Sequence, residues 1–215
     1  MRGAKFGWAL LALAAGPLSG CVTAVELPQP LLAYDRDNCT LVPDLGGAIS
    51  LTPEKERASH TAFGPVGADG PCLQGPDGTL PYIVFALPED RDDKTLSVGG
   101  ALEATRILSP RVSLLAADGS VTRTFGAEDY LYRGPLYSVQ LRPRAEEAYI
   151  LVSAEPARVG QRYDSIVIGT NTTSTYAAGA YISWTSGTDA AQSRVFSYAG
   201  TAQVIVYDSD TEETD

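Results

Sequence analysis

The sequence predicts an all-β protein: an antiparallel β-sandwich of jelly-roll type behind an irregular N-terminal region. Three observations carry this. Short β-branched and aromatic runs recur at close spacing from Leu80 to Tyr207, and turn residues separate them. Almost no stretch has the 3.6-residue apolar period of the helices that a parallel α/β sheet would need. The chain has 215 residues, 44% of them hydrophobic, which suffices for one domain with its own core.

Taken in order, the chain opens with a secretory leader. Arg2 and Lys5 are followed by an apolar run from Trp8 to Ala15, too short to span a bilayer, and then by Leu18-Ser19-Gly20-Cys21. Those four residues resemble the lipobox of bacterial lipoproteins, and the resemblance implies that 1–20 is removed and Cys21 carries the lipid anchor. Val22 is not the aspartate that typically retains enterobacterial lipoproteins at the inner membrane, so an outer-membrane location facing the periplasm is expected. Residues 21–33, with Pro28 and Pro30, read as the lipidated cysteine and an extended spacer.

A single domain is expected over 34–207, irregular and disulfide-braced over 34–79. Gly46–Leu51 reads as a short strand, and Thr52–Arg57 as a helical turn capped by Thr52. From Phe63 to Gly78, glycine and proline recur every few residues and argue against long elements. Cys39 and Cys72, the even pair left in an exported chain, read as one disulfide.

Leu80–Leu87 (LPYIVFAL) is the first strong strand. Lys94–Val98 and Ala101–Leu108 read as two strands split by Gly99-Gly100. Arg111–Ala116 and Val121–Phe125 form a hairpin around Asp118-Gly119. Leu136–Leu141 alternates, while Ala148–Ser153 has the continuous apolar character of a central strand. Ser165–Ile168, Ala180–Thr185, Arg194–Tyr198 and Gln203–Tyr207 complete the set, with small polar loops at Gly169–Gly179 and Ser186–Ser193. Residues 208–215 form an acidic block expected to be disordered.

Removing Arg2 and Lys5 leaves 14 basic against 26 acidic residues, about −12. So acidic a surface disfavours nucleic acid and anionic headgroups, so the membrane partner is reached through acyl chains. The sole histidine, His60, lies outside any G-x-S-x-G elbow and reads as a packed or surface residue rather than a catalytic base. Neither HExxH nor CxxC occurs, and Asp35-Arg36-Asp37-Asn38 lacks the glycine and glutamate of a calcium loop. No metal, cofactor or catalytic residue is therefore expected. Glu89, Asp90, Asp92 and Asp93 read as a solvated loop, with a carboxylate-based glycan hydrolase as the minor alternative. Sequons at Asn38 and Asn171 carry no weight in a bacterial lipoprotein.

The candidate ligand residues are aromatic. Tyr130, Tyr132 and Tyr137 surround Arg133-Gly134-Pro135, and Tyr181, Trp184 and Tyr198 follow in the C-terminal strands. Aromatic faces with a guanidinium among them suit a neutral or acidic saccharide. The competing reading is that these tyrosines cap the core, ring inward and hydroxyl outward.

Over Leu80–Asp208 the chain resembles the maltose-operon periplasmic protein (MalM) family. The similarity rests on the YIVFALP strand, the block Leu108-Ser109-Pro110-Arg111-Val112-Ser113-Leu114-Leu115, Phe125 with Tyr130 and Tyr132, the AYILVSAE run, and the strand at Val204-Ile205-Val206. The pattern is also similar to the jelly-roll domains that follow secreted peptidases. The resemblance implies a β-sandwich and an association with carbohydrate transport. It makes a non-catalytic binding or accessory protein of the envelope the leading expectation, ahead of a structural or assembly component.

Overall fold

The computed structural model describes residues 26–76, 78–177 and 180–208, and within the C-terminal hairpin the backbone alone for 167–177, 180–182, 184–186 and 188–190. The leader, Cys21 and the tail from Ser209 lie outside the described residues. The strands are β1 (Ile49–Ser50), β2 (Ser59–Val66), β3 (Cys72–Gly75), β4 (Gly78–Ala86), β5 (Lys94–Ala101), β6 (Arg106–Leu108) and β7 (Pro110–Ala116). They continue with β8 (Val121–Thr124), β9 (Leu131–Arg133), β10 (Leu136–Leu141), β11 (Glu147–Ala154), β12 (Arg162–Ala177), β13 (Ala180–Ser197) and β14 (Gly200–Asp208).

The predicted all-β sandwich is the observed architecture. One sheet runs β1-β4-β11-β7-β8, with β3 on the N-terminal half of β4; the facing sheet runs β2-β14-β5-β10-β9. Between them lies the main core, where Phe85, Val112, Leu114, Ile150 and Val152 meet Leu96, Val98, Val139, Val204 and Val206. A third sheet, β12-β13-β6, closes one end through Ile107, Leu108 and Phe196.

The irregular N-terminal region covers the other face of the first sheet. Leu45, Ala48 and Leu73 pack on Tyr82, Val84, Leu115 and Leu151. With apolar groups on both faces, β4 and β11 need apolar residues at successive positions, which is why LPYIVFAL and AYILVS hardly alternate. The Cys39–Cys72 disulfide pins this cover to β3. Thr40 N–H donates to the Cys72 carbonyl at 3.0 Å, and Gln74 N–H to the Thr40 carbonyl at 2.8 Å.

Several expectations need correction. Residues 63–66 belong to a regular strand, β2, despite Gly64 and Pro65. β2 lies at a sheet edge and pairs with β14 alone, where the missing proline N–H is tolerated. Residues 52–57 form no helical turn. Gly99-Gly100 does not break β5. A Cβ at Gly99 would fall 1.9 Å from the Tyr137 carbonyl oxygen, and one at Gly100 2.5 Å from that of Leu108. The glycines are needed because backbone crosses backbone there.

The polar stretches at Gly169–Gly179 and Ser186–Ser193 are not loops: apart from Ala178 and Gly179 they belong to one hairpin, paired from Arg162↔Val195 to Ala177↔Ala180 without a register break. Asp208, assigned to the tail, is the last residue of β14 and accepts a hydrogen bond from Lys94 Nζ at 2.6 Å. The spacer is extended, but part of it is docked. Leu31 N–H donates to Ser197 Oγ at 2.8 Å, Tyr198 N–H to the Leu31 carbonyl at 2.9 Å, and Arg106 to the Gln29 carbonyl at 3.2 Å.

Candidate ligand cleft

Two short turns and two strands build an aromatic cleft at one end of the sandwich. A 3-10 turn over Ala127–Asp129 delivers Tyr130, whose buried hydroxyl accepts a hydrogen bond from Val112 N–H of β7 at 2.8 Å. The turn Gly134-Pro135, with Gly134 at φ 57°, joins β9 to β10 and sets Tyr132 opposite Tyr137. Ring stacking organises the rest. Tyr137 stacks on Tyr130 at 5.2 Å, tilts against Tyr132 at 4.7 Å, and meets Phe196 edge-on at 5.2 Å. Tyr132 in turn stacks on Tyr163 of β12 at 3.8 Å.

The guanidinium over this floor belongs to Arg158. Its carbon lies 4.9 Å from the Tyr137 ring centre and 5.2 Å from that of Phe196, and it donates to the Tyr137 hydroxyl. No carboxylate lies within ion-pairing distance of Arg158 among the described residues. Arg158 ends a 3-10 turn, Pro156–Arg158, capped by Glu155, whose side chain accepts from Ala157 N–H at 3.2 Å and from Arg111 Nε at 2.7 Å. The cleft encloses about 250 Å³ and is lined chiefly by Arg111, Phe125, Tyr130, Tyr137, Glu155 and Arg158.

Burial pushes Tyr130 well above the ordinary tyrosine range, and Tyr132 up to about 12 with help from the neighbouring phenols. It raises Tyr137 as well, against the pull of Arg158. Burial works against the Glu155 carboxylate too, but the Arg111 hydrogen bond and the Ala157 N–H outweigh it and hold the group below its usual range. At neutral pH the cleft thus holds neutral phenols, one anion with its cation, and Arg158 facing rings. That set combines aromatic side chains with a guanidinium able to donate to hydroxyls or a carboxylate.

The four sequence candidates separate in space. Tyr130 and Tyr137 are buried and line the cleft. Tyr132 is 39% exposed and lies on the far side of Tyr137, against Tyr163. Arg133 donates to the Ser138 carbonyl at 2.5 Å, holding its own hairpin. Sequence reasoning missed Arg158, Glu155, Arg111 and Phe196 as their partners. The Glu155-Pro156 pair was the available signal, an acidic cap followed by proline at the first position of a turn.

Elsewhere, His60 lies on β2 beside the Lys94–Asp90 and Lys94–Asp208 ion pairs, with no hydroxyl in hydrogen-bond reach among the described residues. Arg36, between Asp35 and Asp37, donates to the Ala68 carbonyl at 3.0 Å and also to that of Gly70. No group of three or more His, Cys, Asp or Glu able to hold a metal ion occurs among the described residues. The Tyr181 and Trp184 side chains lie outside the described residues, and Tyr198 packs on Tyr34 at 6.0 Å. No family model and no curated protein matches the chain.

Proposed function

We propose that the protein is a non-catalytic binding or accessory component of the bacterial cell envelope. It is held at the periplasmic face of the outer membrane by a lipid on Cys21, and it binds a short neutral or acidic saccharide. The observation that carries the ligand reading is Arg158, set over the Tyr137 and Phe196 rings with no carboxylate partner among the described residues. A sugar ring stacked on an aromatic face, with its hydroxyls or a carboxylate on a guanidinium, is the chemistry this arrangement serves. A cleft of about 250 Å³ lies below the usual range for drug-sized ligands, so it suits one sugar ring or chain end. The resemblance to the maltose-operon family supports a link to carbohydrate transport.

Calorimetric titration of maltodextrins and uronic-acid oligosaccharides against the parent and Arg158→Ala tests the cleft. Binding by the parent, weakened at least about tenfold by loss of a charged contact worth roughly 1.5–3 kcal/mol, supports it. Equal binding by both forms, or by neither, refutes it. Fractionation of Cys21→Ser tests the tether: release from membranes is expected, and unchanged retention refutes the anchor. A structural or assembly role is the second reading, favoured by the long β12–β13 hairpin.

A further inference from the structure

Beyond the body, both edges of the β12–β13 hairpin lack strand partners among the described residues. β6 pairs with β13 only from Val195 to Ser197. From Ile166↔Ala191 to Ala177↔Ala180, β12 and β13 pair with each other and with no other strand among the described residues. Twelve residue pairs at ~3.4 Å per residue make a two-stranded ribbon about 40 Å long. A bare ribbon of this kind is marginal in water, and each edge carries a row of unbonded backbone donors and acceptors.

Three of the protein's other edge strands show features that discourage pairing. β2 carries Pro65, β8 has a register shift where it meets β7 and contains Arg123, and β9 is three residues long and contains Arg133. Between Ser165 and Ser193 there is no proline, lysine or arginine, and Asp189 is the one charged residue. The register has no bulge across this stretch. By the rules that keep native edges apart, this edge is unguarded.

We propose that this hairpin is a self-assembly arm, in which the outer edge of β12 in one copy pairs with the outer edge of β13 in the next. A second copy brings the same open edges, and charge leaves the arms as its place of contact. With the leader removed the formal charge is about −12, so bodies repel one another, whereas arms with one charged residue each meet at little like-charge cost. Polar two-sided strands also accept pairing in many registers, so identical arms need no matched side-chain code. The choice of β12 against β13 rests on the Cys21 tether. Docking of residues 28–31, with the Pro28 carbonyl accepting from Thr105 Oγ1, leaves only 22–27 as leash, at most about 22 Å, so neighbouring copies stand the same way up. Strands of like-oriented hairpins are then antiparallel when β13 meets β12, and parallel when β12 meets β12. The pairing is head-to-tail and can close into a ring.

The test uses the full-length lipidated chain extracted in detergent, with particle mass from light scattering and amide exchange across the arm. A multimer is expected, with slow exchange along both outer edges. In one variant Ile168–Asp189 is replaced by Asn-Gly, a two-residue hairpin turn; a second, Thr170→Lys with Ser174→Lys, keeps the arm and guards its edge. Both are expected to have single-chain mass and fast-exchanging edges, with the melting temperature of the body unchanged. A parent of single-chain mass, or a multimer surviving both variants, overturns the proposal. Membrane retention is read separately from mass, so a failed tether with an intact multimer overturns only the tether.

Discussion

Replacing Glu147 should be the most damaging single change outside the main apolar core. This carboxylate opens β11 and is fully buried. It accepts from Arg123 Nε at 2.7 Å, Arg123 Nη2 at 2.9 Å, Thr122 Oγ1 at 3.0 Å and Arg144 N–H at 2.7 Å. Arg123 also donates to the Arg142 carbonyl at 2.6 Å and lies 5.3 Å from the Phe125 ring centre. One side chain thus fastens β8, β11 and the turn before β11. Glu147→Ala leaves a cation without its anion and the Arg144 N–H without its acceptor, while Thr122 Oγ1 keeps the Leu114 carbonyl at 3.0 Å; breaking a buried pair this way costs about 3–5 kcal/mol. The Arg123 side chain is 25% exposed, so water recovers part of this and about 3 kcal/mol is the expected loss. At roughly 2–4 °C per kcal/mol for a domain this size, melting should fall by about 6–12 °C. Glu147→Gln, which keeps an acceptor for Arg144, should lose less. Far-UV circular dichroism is the suitable probe, because the fold is almost entirely strand and its loss reads directly there. A loss under about 0.5 kcal/mol, the scale of ordinary surface changes, would refute the structural role given to this carboxylate.

Reduction of Cys39–Cys72 reopens a loop of sequence separation 33, for which chain entropy predicts a loss of about 3–4 kcal/mol. The melt of reduced protein should shift accordingly, with faster amide exchange first in residues 40–48, which the bond holds over the first sheet. An alkaline transition is also expected. Burial raises Tyr130 above its ordinary value of 10.0, so the folded chain favours the neutral phenol. That contribution is fully present below pH 10 and is lost as pH climbs through the folded-state value. Tyrosinate absorbance in Tyr130→Phe should lack one late-titrating group, and appearance of that group at its ordinary pH in the parent would contradict the burial argument.

Fold class was legible because its signals are local. LPYIVFAL and AYILVS announce strands by composition alone, and Asp118-Gly119 closes its hairpin as read, with Gly119 at φ 85°. What was not legible depends on contacts distant in sequence. Gly99 and Gly100 look like breakers until the chain at Tyr137 and Leu108 is seen passing within a Cβ's reach. Glu147 looks like a surface carboxylate until Arg123, 24 residues away, closes on it. The cleft follows the same rule: Tyr130 and Tyr137 stood out as aromatics, but Arg158 and Phe196 join them only through the third sheet and the turn after β11.

The arm was misread for a different reason. Apolar alternation marks a strand because one face is buried, and over Gly169–Ser186 the sequence is mostly serine, threonine, glycine and alanine with no such alternation. Threonine favours extended backbone whether or not a core lies beneath it, so a strand whose sequence has no apolar alternation reads as a loop to any rule based on burial. The same absence of an apolar face separates this ribbon from β4 and β11, whose side chains fix their place in the sandwich. Backbone pairing runs along the distal arm from Ile166↔Ala191 to Ala177↔Ala180, and further backbone pairing is what would extend it. A neighbour that adds a strand there needs open edges of its own, and another copy of this chain would bring the same hairpin.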